Sequence, residues 1–124
     1  MEALKQRILK EGVALGSDRI NVDGFINHKI DTEFMDKIGA EFGRKFAGVQ
    51  VDKILTVEAS GIAIAVAAAR YFGFAPVVFA KKAAPNTMTD DCYTAEAFSA
   101  HSTPHSSPGY RRWCCIAPPS CPAA

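Results

Sequence analysis

Lys53-Ile-Leu-Thr-Val-Glu-Ala-Ser-Gly-Ile-Ala-Ile-Ala-Val-Ala-Ala-Ala-Arg-Tyr-Phe-Gly-Phe-Ala-Pro-Val-Val-Phe-Ala80 decides the fold. Lys53 to Val57 reads as a buried strand, Glu58 to Gly61 as a sharp turn, and Ile62 to Tyr71 as an alanine-rich helix closed by Gly73. Pro76 to Ala80 reads as a second strand. Strand, tight turn, helix and strand within about thirty residues form a βαβ unit, whose crossover sets the two strands side by side and parallel. The fold class is therefore α/β, a parallel sheet with flanking helices.

Upstream of this unit, Leu4 and Ile8 sit four apart in Glu2 to Glu11, the spacing of a short amphipathic helix that stops at Gly12. Ile20 and Val22, then Phe25 and Ile26, flank Asp23-Gly24 and suggest two extended segments around a turn. Asp31 or Thr32 can cap the next segment, where Phe34, Met35, Ile38, Phe42 and Phe46 recur at threes and fours. That spacing predicts a helix to about Ala47, ended by Gly48.

The chain has 124 residues, room for one domain. Its 14 basic and 13 acidic side chains leave a net charge of +1, so no global field recruits nucleic acid or an anionic membrane. The longest apolar stretch, Gly61 to Ala69, is about half of what spans a bilayer. Met1-Glu-Ala-Leu-Lys5 carries an acid and lacks an apolar signal core. These features predict a cytoplasmic protein without a nucleic-acid or membrane partner.

The character changes after Glu96. From Ala97 to Ala124 there is no Asp, Glu, Leu or Val, while five of the seven prolines and three of the four cysteines crowd in. The composition divides the chain into residues 1–97 and a tail, 98–124, that is expected to be disordered because it has little apolar surface to bury. Translation in a shifted reading frame past about residue 98 is the expected origin of that tail. Cys92, Cys114, Cys115 and Cys121 are read as reduced thiols. His101 and His105 alone have zinc-ligand spacing, and no metal site is assigned.

Three places could carry chemistry. The turn Glu58, Ala59, Ser60, Gly61 offers backbone N–H groups at a helix start, where dipole and unpaired donors favour an anion; it also fits a plain strand-to-helix turn. Lys81 and Lys82 leave the second strand at the same carboxyl edge, placed for phosphate or simply solvated. Beyond them, residues 83–91 read as a mobile polar loop whose Asp90 and Asp91 are solvated. Asn27 has an amide able to donate to and accept from a purine edge, and Ile20 can lie on a ring face; neighbouring His28 reads as a surface histidine.

Met1-Glu-Ala-Leu-Lys5, Val22-Asp23, Phe25-Ile-Asn-His28, Thr56-Val-Glu-Ala-Ser-Gly-Ile-Ala63, Pro76-Val-Val-Phe-Ala-Lys-Lys82 and Thr87-Met-Thr-Asp90, taken in order, closely resemble the bacterial xanthine phosphoribosyltransferases. The resemblance covers residues 1–97 and implies part of a type I phosphoribosyltransferase fold, Rossmann-like, acting as a homodimer in purine salvage. It implies conversion of xanthine and 5-phospho-α-D-ribose 1-diphosphate to xanthosine monophosphate and pyrophosphate, with Mg2+ on the diphosphate. By the same resemblance Ile20 and Asn27 contact xanthine, while Glu58, Ala59, Ser60, Gly61, Lys81 and Lys82 contact the diphosphate. Residues 83–97 match the start of a loop that closes over the site.

Two positions depart from the family pattern: Ala59 stands where serine is usual and Ile64 where proline is usual. Nothing after Glu96 resembles the family's loop for the ribose 5-phosphate, so little or no turnover is expected of these residues, and no catalytic residue is assigned. The alternatives are an adenine-type relative and a non-catalytic regulator of the same fold that binds a purine or sugar phosphate. A third is a chain whose open sheet edge leaves it unstable.

Overall fold

The computed structural model describes residues 1–17, 19–82, 92–99 and 109–116. Helix α1 spans Glu2–Glu11, and a small antiparallel hairpin follows, β1 (Val13–Leu15) and β2 (Arg19–Asn21). Asp23–Asn27 then forms one π-helical turn. The sequence pattern suggests an extended segment at Phe25-Ile26, and the structure corrects it. The pattern misleads because Phe25 and Ile26 are apolar for core packing: Phe25 is 0% exposed, and its neighbours include the partly buried Val22 and Ile26.

Helix α2 spans Thr32–Lys45, with Asp31 as its cap: the Asp31 carboxylate accepts the Phe34 N–H at 3.0 Å. Of the residues at helical spacing, Phe34, Met35 and Ile38 are buried with Phe25, and the Phe25 and Phe34 rings meet edge to face at 5.7 Å, whereas Phe42 and Phe46 are exposed and stack on each other. Strand β3 (Ile54–Val57), helix α3 (Ser60–Ala69), a 3-10 turn (Arg70–Phe72) and strand β4 (Val77–Ala80) make the βαβ unit, and β3 pairs parallel to β4. Helices α2 and α3 pack closely at Gly39, where an added Cβ would stand 2.7 Å from the Ala67 carbonyl oxygen. Asp36, in the first half of α2, accepts from Arg70 at 2.9 Å and from the Tyr71 hydroxyl at 3.0 Å, both in the turn that follows α3.

Helix α3 covers one face of the β3–β4 pair. Alternation puts Leu55 and Val57 on the other face, where they are 71% and 49% exposed. Among the described residues no helix is long and apolar enough to cross a membrane.

The last part differs most from expectation. Strand β5 (Cys92–Ser99) and strand β6 (Gly109–Ile116) form an antiparallel hairpin, so Gly109–Ile116 is a strand within the tail expected to be disordered, and residues 92–97 of the loop that the resemblance implies are strand as well. Composition obscures this, because the prolines and serines lie outside β6. Within it, Tyr110, Trp113 and Ile116 are strand-favouring types. Cys114, 2% exposed, exchanges both main-chain hydrogen bonds with Lys81 at 2.8 Å, attaching the hairpin just beyond β4. Asp90, Asp91, His101, His105, Cys121 and the rest of residues 83–91 and 117–124 lie outside the described residues.

Arg7 joins α1 to the cap of α2. Its guanidinium is 2.8 Å from the Asp31 carboxylate and 5.1 and 5.0 Å from the Phe25 and Phe34 ring centroids. Its Nε forms an ion pair with Glu11 at 2.9 Å. The Phe34 N–H and then Arg7 hold the Asp31 carboxyl below its ordinary value of 3.8. A lowered folded-state value stabilises the fold above 3.8, and that contribution is lost as pH falls through the folded value. Glu41, held down chiefly by hydrogen bonds from Arg44, acts in the same direction. Asp31→Asn is therefore expected to flatten part of the acid limb of stability, measured as thermal midpoints from neutral to strongly acidic pH. Phe25→Ala removes a ring at the centre of the cluster and is expected to cost about 3–5 kcal/mol in denaturant unfolding.

Candidate functional site

Because β3 and β4 are parallel with Val57 opposite Ala80, the residues after each strand emerge at one edge. Glu58 follows β3 there; Lys81 and Lys82 follow β4. The Glu58 N–H donates to the Ala80 carbonyl at 3.0 Å, and its carboxylate accepts the Lys82 N–H at 2.6 Å. The peptide between Glu58 and Ala59 is cis.

Helix α3 starts at Ser60 behind Ala59, which has no side-chain oxygen, and no side chain caps its first N–H groups. The α3 start therefore presents backbone donors and positive dipole beside two lysines. Gly61 is required here by space: an added Cβ would fall onto the Thr56 hydroxyl of β3. Lys81 is pinned by its two bonds to Cys114, and its ammonium lies 5.9 Å from the Phe79 ring centroid. Lys82 is exposed.

The structure thus brings Glu58, Ala59, Ser60, Gly61, Lys81 and Lys82 to one edge. Ile20 and Asn27 sit elsewhere. Ile20 is exposed in β2 opposite Ala14, and Asn27 closes the π-helical turn, its Nδ2 donating to Asp23 at 3.2 Å. Asn27 shares its turn with Phe25, whose cluster includes Ala63, Ile64 and Ala67 of α3. His28 is exposed, 3.8 Å from Asp23. Among the described residues no group of three or more His, Cys, Asp or Glu side chains could hold a metal ion.

Two contributors escape sequence reasoning. Thr56 looks like an ordinary strand residue until its hydroxyl is seen under Gly61. Cys114 lies in a segment whose composition hides a strand, and its pairing with a position 33 residues earlier leaves no local signal.

The architecture is that of the phosphoribosyltransferases. A solved structure of adenine phosphoribosyl transferase from Trypanosoma brucei, in complex with AMP, pyrophosphate and ribose-5-phosphate, superposes with a TM-score of 0.58 over 90% of this chain and 47% of that one. The two are 16% identical, a likeness of fold. In sequence, the xanthine phosphoribosyltransferase of Clostridioides difficile (strain 630) is 50% identical over 99 residues, 80% of this chain and 52% of that protein. That of Laribacter hongkongensis (strain HLHK9) is 48% identical over the same shares. Over that stretch the chain is a homologue of the xanthine phosphoribosyltransferases, and it spans about half the length of the curated relatives it matches. No family model matches the chain.

Gly61→Ala is expected to cost about 1–3 kcal/mol in unfolding, the range for overpacking. Adding Thr56→Ala should recover part of that loss in a double-mutant cycle, since the clash is with the hydroxyl.

Proposed function

We propose that this chain carries the purine- and diphosphate-facing part of a xanthine phosphoribosyltransferase. In this reading the pyrophosphate of 5-phospho-α-D-ribose 1-diphosphate rests on the donors of Ser60 and Gly61 at the start of α3, flanked by Lys81 and Lys82. The observation that supports it is the meeting of the uncapped helix start and the lysine pair at one strand edge, joined by the Glu58 to Lys82 bond. Ile20 and Asn27 belong to the base side, where the amide matches a purine edge and the aliphatic chain its face.

Bond breaking at ribose C1 releases pyrophosphate with its electron pair while a purine nitrogen, its proton given up to solvent, bonds to that carbon. Positive charge builds on the ribose, so holding the base close and stabilising the leaving group lower the barrier. Cations and backbone donors do the second task. Magnesium enters as the counter-ion of the diphosphate, part of the substrate rather than a resident of the protein. The reading extends to a cytoplasmic homodimer in purine salvage. It assigns no group in the chain to the ribose 5-phosphate, so the 124-residue chain alone is proposed to have little or no turnover.

Calorimetric titration of the chain with magnesium pyrophosphate tests the site. Measurable binding, weakened about tenfold or more by the double substitution Lys81→Ala and Lys82→Ala, is the expected result. No binding by the unsubstituted chain would sink the proposal. A radiolabelled xanthine assay with the sugar diphosphate checks the second claim, and sustained turnover by the chain overturns it.

A further inference from the structure

The Glu58 carboxylate is an unexpected neighbour for an anion site, because a like charge repels pyrophosphate. Its geometry gives it a different task. The carboxylate oxygen accepts the Lys82 N–H at 2.6 Å, while the N–H of the same residue donates to Ala80 at 3.0 Å. One residue after β3 thus grips the chain leaving β4 at two points, on either side of Lys81. Cys114 grips Lys81 itself through two main-chain bonds of 2.8 Å. The backbone of the lysine pair is held from two directions, on one of them by the Glu58 side chain.

We infer that Glu58 is a positioning residue: its carboxylate, acting through the Lys82 main-chain N–H, sets the lysine pair against the start of α3. This inference rests on the diphosphate reading of the site and adds the role of one residue within it. The bond needs a side-chain oxygen that reaches across from one strand end to the other, and an uncharged amide oxygen at the same reach also accepts the Lys82 N–H. Reach is therefore the property that matters, and charge is secondary. A carboxylate that bound magnesium directly would show the opposite order.

Two near-isosteric variants separate these properties. Glu58→Gln keeps the length and an acceptor oxygen but loses the charge; Glu58→Asp keeps the charge and loses one methylene of reach. Magnesium pyrophosphate binding to the 124-residue chain is measured by calorimetry for both, with amide hydrogen exchange at Lys82 followed without ligand. The expected order is a loss of less than about threefold for Glu58→Gln and about tenfold for Glu58→Asp, with Lys82 exchange accelerated chiefly in Glu58→Asp. A larger loss in Glu58→Gln than in Glu58→Asp, or equal affinities with unchanged Lys82 exchange, overturns the positioning role. If the unsubstituted chain fails to bind pyrophosphate, the site reading fails first and this inference falls with it. Binding by the unsubstituted chain with the wrong variant order sinks this inference alone. Circular dichroism of each variant confirms the fold, and Lys82 exchange reports the contact even where affinity is reduced for other reasons.

Discussion

The guanidinium of Arg7 is the node on which the helical layer depends. It lies over the Phe25 and Phe34 rings and against the Asp31 carboxylate, so one planar cation touches the π-helical turn and both ends of the link between α1 and α2. A surface ion pair of this kind is ordinarily worth little. Here the carboxylate also caps α2, and one of the rings is the most buried side chain of the core, so losing the node disturbs a helix start and a packed aromatic pair together. Lysine in place of Arg7 would keep the charge and lose the planar contact with both rings.

From that node the constraint passes inward by contact. The cap fixes where α2 begins, and with it which residue meets α3; that residue is Gly39, which lets α2 approach the Ala67 carbonyl. Helix α3 in turn begins where Gly61 rests on Thr56, which ties the helix start to the strand that feeds it. The turn of the candidate site is therefore held from the helical side by α2 and from the sheet side by β3. Its position relative to Lys81 and Lys82 follows from the parallel register, with Glu58 closing the gap.

How much of this was legible in the sequence depended on whether the governing contact was local. Helix α1, the Asp31 cap, the first half of the α2 face and the βαβ unit all follow from spacing within one segment, and the structure places each within a few residues of expectation, while Phe42 and Phe46 further along α2 stay exposed. The Asp23–Asn27 turn is not legible, because Phe25 and Ile26 fit an apolar strand as well as they fit a buried turn; only the packing of α2 and α3 decides between them. Strand β6 is hidden because its partners, Cys92–Ser99 and Lys81, are distant in sequence, and prolines and serines surround it. At the site, residue types foretold Gly61 and the lysine pair as one edge. They could not foretell that Glu58 would bond the Lys82 amide, since that contact spans 24 residues.

The sheet itself is thin. Parallel strands are normally covered on both faces, and β3 has α3 on one side while Leu55 and Val57 remain largely exposed on the other. Apolar burial within the described unit is thus concentrated on the helical side, in the cluster around Phe25, Phe34, Met35 and Ile38. The carboxyl edge, by contrast, is held mainly by hydrogen bonds: Glu58 to Ala80 and Lys82, and Lys81 to Cys114. Hydrogen-bonded edges on a one-sided core open at lower free energy than the core itself. The site therefore sits on the more yielding part of the molecule, and the contacts that fix its backbone count for more there than equivalent contacts would over a fully covered sheet.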